Sequence, residues 1–179
     1  KGMKLLQQCA STNQCIAFRD KEVPLPLIYD VLKTATYTST AASADNVEFV
    51  VVRNKENIAK IADQCPKQSW LAHVPCMIVV INDSSKAKML YGERTEQYCM
   101  QAVGAAAHLI MLQAAEKDLA TYVVRLFNDK AVRRIIEAPD EKKVEIMLAL
   151  GYPKEKKSKE KPLDVGKATY FEKYGNKTT

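Results

Sequence analysis

Few side chains in this sequence are able to do covalent chemistry. The 179 residues include two histidines, His73 and His108, and five cysteines, Cys9, Cys15, Cys65, Cys76 and Cys99. A nucleophilic site needs a serine or cysteine held against a histidine that a carboxylate orients. His108 falls inside an alanine-rich stretch, His73 follows Trp70-Leu71, and there is no GxSxG and no cysteine in a nucleophile setting, so hydrolytic triad chemistry is set aside. Cys65, His73 and Cys76 match none of the usual zinc spacings and lack a fourth ligand, so no metal site is expected. Without a CxxC pair and with an odd count, the thiols read as reduced, small hydrophobes of a cytoplasmic protein. The six glycines are too scattered for a dinucleotide fingerprint or a phosphate loop. What remains is the loop Thr36–Asp45, where Thr38, Ser39, Thr40, Ser43 and Asp45 alternate with alanines. Small hydroxyl residues let a backbone approach a flat ligand closely and offer it hydrogen bonds.

Around that loop the patterning sets out the elements that must position it. A first helix is expected over Met3–Ala10. Pro24 opens a second, with Leu25, Ile28, Val31, Leu32 and Ala35 in one stripe. Val47–Arg53 is dense in β-branched residues and predicts a strand. A short helix is expected next, over Glu56–Ala62. Cys76–Ile81 is apolar at consecutive positions and predicts a strand covered on both faces. Tyr98–Ala115 predicts a long helix, apolar nearly all round and rich in alanine, suited to the middle of a fold or an interface. Thr121–Leu126 predicts a third strand, and Asn128 caps a helix over Asp129–Glu137. Val144–Leu150 is the fourth strand, closed by Gly151-Tyr152-Pro153. Four strands separated by helices predict an α+β (α/β) layered domain.

Composition agrees with a folded chain: 47% hydrophobic, 27% charged, 7% aromatic. The net charge of +6 is unevenly placed, because residues 154–161 hold five lysines against two glutamates. The body is nearly neutral and offers no platform for nucleic acid. No signal pattern or membrane-length apolar run appears; the longest, Ala102–Leu112, is broken by His108. Residues 1–153 read as one domain. Residues 154–179 read as a C-terminal extension whose Tyr170, Phe171 and Tyr174 suit docking on a second subunit.

Taken in order, these pieces resemble the nitroreductase superfamily of FMN-dependent oxidoreductases. Phe18-Arg19-Asp20-Lys21-Glu22-Val23-Pro24 is similar to its F-x-D-K-x-V-P, and the strand at Phe49–Val52 to the one after its small-residue loop. Leu119-Ala120-Thr121 stands at its G-L-G-T, Leu150-Gly151-Tyr152-Pro153 at its l-G-y-P, and Lys161-Pro162-Leu163 at its K-P-L. The resemblance implies a homodimer with a mixed, mainly antiparallel sheet flanked by helices and one FMN in each of two clefts between subunits. It further implies that NAD(P)H (NADH or NADPH) delivers a hydride to the flavin N5, and that a small planar acceptor, a nitroaromatic, quinone or flavin, is then reduced. No protein side chain is implied as catalytic, because the cofactor carries the redox chemistry.

The resemblance also implies a set of FMN contacts, and several are altered here. The family's phosphate-binding R-x-S-x-R places Thr12, Gln14 and Ile16 on its three specified positions, with Asn13 inside it; both arginines are absent. Guanidinium–phosphate contacts contribute on the order of 1.5–3 kcal/mol each, so losing two weakens FMN by roughly two to four orders of magnitude unless other cations replace them. In the ring-binding loop Thr40 stands for a serine, Ser43 for an asparagine and Asp45 for a glutamine, with Ser39 beside them. The replacement cations on offer are Lys159, Lys161 and Arg125, the last where the family has a small residue. Three readings are open: an FMN-dependent NAD(P)H oxidoreductase with relocated phosphate cations, a family-fold protein that has lost FMN and binds another ligand, and a non-catalytic dimeric binding protein.

Overall fold

The computed structural model describes residues 5–12, 14–38, 46–155 and 162–177. Of the expected site residues, Asn13, Ser39, Thr40, Ser43, Asp45, Lys159 and Lys161 lie outside these.

Four strands form one antiparallel sheet in the order β1 (Val47–Val52), β2 (Cys76–Asn82), β4 (Lys143–Gly151), β3 (Ala120–Val124). All seven residues of β2 are buried, as its unbroken apolar run requires. One face carries Met77, Val79 and Met147 against α3 (Lys55–Ala62), a 3₁₀ turn at Ser69–His73 and α6 (Asp129–Ile135). The other carries Ile78, Val80, Ile146 and Leu148 against α2 (Leu25–Ala35) and α5 (Thr95–Glu116). This is the layered α+β architecture that the alternation of strands and helices predicts.

Local chemistry sets the element ends. The Asn54 side chain accepts from Asn57 N–H at 3.0 Å and the Asn128 side chain from Ala131 N–H at 3.1 Å, so each caps its helix. α5 begins three residues before the expected Tyr98, because Thr95 is buried and its hydroxyl donates to the Gly92 carbonyl. It is buried along Cys99, Val103, Ala106, Ile110 and Ala114, whereas Gly104, Ala105 and His108 are exposed. The expectation of a helix enclosed all round therefore fails for one face. β3 stops at Val124, two residues short of the expected Leu126. A short helix, α4 (Ser85–Tyr91), was not legible: it buries only Ala87, too little to print a stripe. α1 (Leu5–Ser11) buries nothing in this protomer.

Residues 162–177 fold largely on themselves. α7 (Val165–Ala168) is capped by Asp164, and Lys177 Nζ donates to the carbonyls of Gly166, Lys167 and Thr169 while lying 3.9 Å from the Tyr170 ring centroid. Leu163, Val165 and Tyr174 stay exposed.

Two contacts hold the sheet ends. A Cβ at Gly151 would lie 2.5 Å from Pro75 Cγ and 2.9 Å from Phe18 Cδ1, so only glycine admits both rings. At the opposite end Lys142 Nζ donates to Glu48 at 2.7 Å and to Asp83 at 2.8 Å, joining β1 to the segments after β2 and before β4. Lys142 and the hydroxyl and N–H of Ser85 hold the Asp83 carboxyl down to about 2.

Gly151→Ala is expected to destabilise the chain by about 1–3 kcal/mol, read as a lower urea midpoint at unchanged slope. Asp83→Asn is expected to cost about 1–2 kcal/mol at neutral pH. Because the Asp83 pKa is depressed on folding, its contribution is present above the unfolded value near ~3.9 and is lost as pH falls toward 2. The stability gap between wild type and variant should therefore close across that window in acid-titrated urea melts, and a gap constant down to the lowest pH would refute the assignment.

Candidate functional site

β3 is an edge strand, so its outward peptide groups need partners. The segment after α1 supplies them. Cys15 N–H donates to Thr121 O at 3.0 Å, and Val123 N–H donates to the Gln14 side-chain oxygen at 3.4 Å. Gln14 forms the one parallel bridge in the described residues, to Thr121. The chain then crosses the end of the sheet: Phe18 bridges Pro153, Arg19 N–H donates to Tyr152 O at 2.8 Å, and Lys154 N–H donates to Ala17 O at 2.9 Å. Residues 14–18 thus form a strap across β3 and the end of β4, seated by Phe18 against Gly151.

Of the three positions expected to meet a phosphate, Gln14 and Ile16 lie on this strap and Thr12 follows α1, and their side chains are otherwise disposed. Thr12 Oγ1 donates to Cys9 O at 2.7 Å. Gln14 is engaged with β3. Ile16 is 56% exposed and apolar. Two exposed cations neighbour the strap: Arg19, whose Nε donates to Pro153 O at 2.9 Å, and Lys21, whose Nζ sits 4.2 Å from the Tyr152 ring centroid. Arg125 lies exposed just past the end of β3, and among the described residues its guanidinium makes no ion pair. It stands two residues beyond Val123, whose N–H donates to the Gln14 side chain of the strap. A dianionic phosphate placed as the family resemblance implies would find no cation within the strap, only Arg19 just past its end. The described residues do not fit FMN held in that way.

All five cysteines are free, with Cys9 exposed and four buried. Burial pushes the Cys65 thiol up to about 11 and the Cys76 thiol up to about 12, so neither is a thiolate at neutral pH. His73 and His108 are both exposed and far apart in the fold, one on a 3₁₀ turn and one on α5. No cluster of three or more His, Cys, Asp or Glu among the described residues is arranged to hold a metal, and none of the described helices is long and apolar enough to cross a membrane.

Two features were missed by sequence reasoning. A cavity of about 390 Å³ opens beside the outer edge of β1, lined by Val50, Arg53, Asn54, Asn57, Ile135 and Glu137; it shares no lining residue with the strap. The second is the extent of exposed apolar surface around α5. α1, α2 and α4 all pack on that helix, and they expose Leu5 and Leu6, Tyr29, and Met89 and Leu90 respectively. The signal for it was in the small residues of α5, which allow another backbone to come close.

The corner between α5 and β3 is tight. Asp118 sits at φ +55°, a left-handed conformation that glycine adopts without strain and aspartate tolerates. It occupies the place of the first glycine in G-L-G-T, and Leu119 N–H closes the helix by donating to Ala114 O at 2.9 Å.

Comparison with known proteins agrees with this anatomy. The model of the nitroreductase family matches residues 62–152, just over half of the chain. A Methanothermobacter thermautotrophicus protein named NADH dehydrogenase/NAD(P)H nitroreductase is 26% identical over 157 residues, covering 86% of this chain and 79% of its own. Among solved structures, an FMN-dependent nitroreductase from Clostridium difficile superposes with a TM-score of 0.78 at 24% identity, covering 90% of this chain and 95% of that one. Nitroreductase A from Vibrio parahaemolyticus superposes at 0.86 with 14% identity, over 98% of this chain and 79% of its own. With the family model matching over half of its length, this chain belongs to the nitroreductase family.

Proposed function

We propose that this chain is an NAD(P)H-dependent oxidoreductase that reduces a small planar acceptor, a nitroaromatic, a quinone or a flavin, in a cleft completed by a second copy of itself. The observation that carries this reading is the family match over residues 62–152 on a fold that superposes on solved nitroreductases. The nicotinamide gives up a hydride, and the acceptor takes that electron pair with a proton from water. Among the described residues no side chain is poised as a nucleophile or metal ligand, in keeping with chemistry that a bound cofactor supplies. The chain's own task is to seat flat rings and to exclude water.

A second copy is favoured by the unpartnered face of α5 and by the apolar residues around it. Residues 154–179 act as the extension that embraces that copy: the part described is pre-folded around Lys177 and displays Leu163, Val165 and Tyr174 outward. FMN is the family's cofactor. Where it is carried here, its phosphate falls to Lys159, Lys161 or Arg125 rather than to the strap. The neutral strap specifically favours a second reading, a family-fold protein that has given up FMN for another ligand.

A visible absorbance spectrum of the purified protein, before and after adding flavin, is the direct test. Bound flavin absorbance that bleaches anaerobically with NADH or NADPH, and returns when a quinone is added, is the expected result. No nicotinamide oxidation with FMN, riboflavin or a quinone present would overturn the oxidoreductase reading.

A further inference from the structure

From Leu5 to Phe18 the chain contains no lysine, arginine, aspartate or glutamate, although 27% of all residues are charged. This run is α1 and the strap together. Near the strap the Ser11 and Thr12 hydroxyls donate to carbonyls of α1, the Gln14 side-chain oxygen accepts from β3, and Cys15 Sγ donates to the Ala17 carbonyl at 3.0 Å. The run is uncharged throughout, and its large apolar side chains Leu5, Leu6 and Ile16 stand at 66%, 81% and 56% exposure beside the exposed, neutral Gln7 and Cys9.

A phosphate carries close to two negative charges and three acceptor oxygens. Brought against this surface it would exchange water for an apolar side chain and for hydroxyls already donating elsewhere, a loss that nothing on the strap offsets. The end of a ligand that carries no charge suffers no such loss. Gln14 also explains why the change is built in. Its amide closes the edge of β3, so the position is occupied by a structural hydrogen bond.

We infer that the strap is a neutral rim and that the flavin this cleft accepts is one without a phosphate, so that riboflavin binds at least as tightly as FMN. The inference rests on the proposed reading of the cleft as a flavin site and names the form of flavin it selects.

The test is a fluorescence-quench titration of the full-length protein with riboflavin and with FMN, at low and at high salt. Equal affinities, or riboflavin the tighter, with FMN affinity insensitive to salt, are expected. FMN binding about 10-fold or more tightly than riboflavin would overturn the inference while leaving the oxidoreductase reading intact. Loss of that preference in a Lys159→Ala/Lys161→Ala variant would then put the phosphate on those lysines. Binding of neither flavin would overturn both the inference and the flavin reading of the cleft.

A gain-of-function variant checks the location. Thr12→Arg/Ile16→Arg, at one half-buried and one exposed position, is expected to tighten FMN by about 10-fold or more and to leave riboflavin unchanged. Retained riboflavin binding reports that the variant is folded. An unchanged ratio of the two affinities would show that the strap does not face the flavin's ribityl end, and would overturn the inference. Ile16→Lys alone supplies a milder version with the same sign.

Discussion

An edge strand cannot leave its outer peptide groups bare beside a core, and in this protein that constraint decides the character of the site. β3 closes one side of the sheet, and its outward groups at Thr121 and Val123 are met by Cys15 and Gln14. Once the strap is stitched there, its path over the sheet end is set by Phe18, which needs the space that Gly151 leaves. Recognition chemistry and edge closure therefore compete for the same few residues. Here edge closure has taken Gln14, and the neighbours at 12 and 16 are free of charge.

Much of the fold was legible because its strands are written in unbroken apolar or β-branched runs and its helix starts in asparagine caps. Cys76–Ile81 could only be a strand covered on both faces, and Asn128, standing directly before Asp129 and a helical run, could only be an N-cap. Elements whose burial is slight left no such trace, as α4 shows with its single buried alanine. Helix α5 was read correctly as small-residued and apolar, but periodicity alone does not distinguish a face packed in the same chain from one awaiting another. His108 falls on the latter.

Counting along the motif singles out Thr12, Gln14 and Ile16, and the structure engages the first two within the chain, Thr12 with Cys9 O and Gln14 with Val123 N–H. What counting could not supply was the direction of the Gln14 amide, since a glutamine is equally able to turn toward a ligand or toward a strand. Nor could it locate Arg125, because the end of β3 is fixed by pairing with β4 rather than by local propensity. Propensity extended the strand to Leu126, whereas the register with β4 ends at Val124.

The fit of Phe18 over Gly151 has a thermodynamic corollary for whatever enters the cleft. The strap owes its position to ring packing and peptide hydrogen bonds within one chain, so its rim is assembled before any guest arrives. A guest that docks there gives up only its own freedom, and little disorder–order transition accompanies its entry on the strap side. Differences in affinity between guests will then report the contacts themselves, uncomplicated by refolding of the strap they lean on.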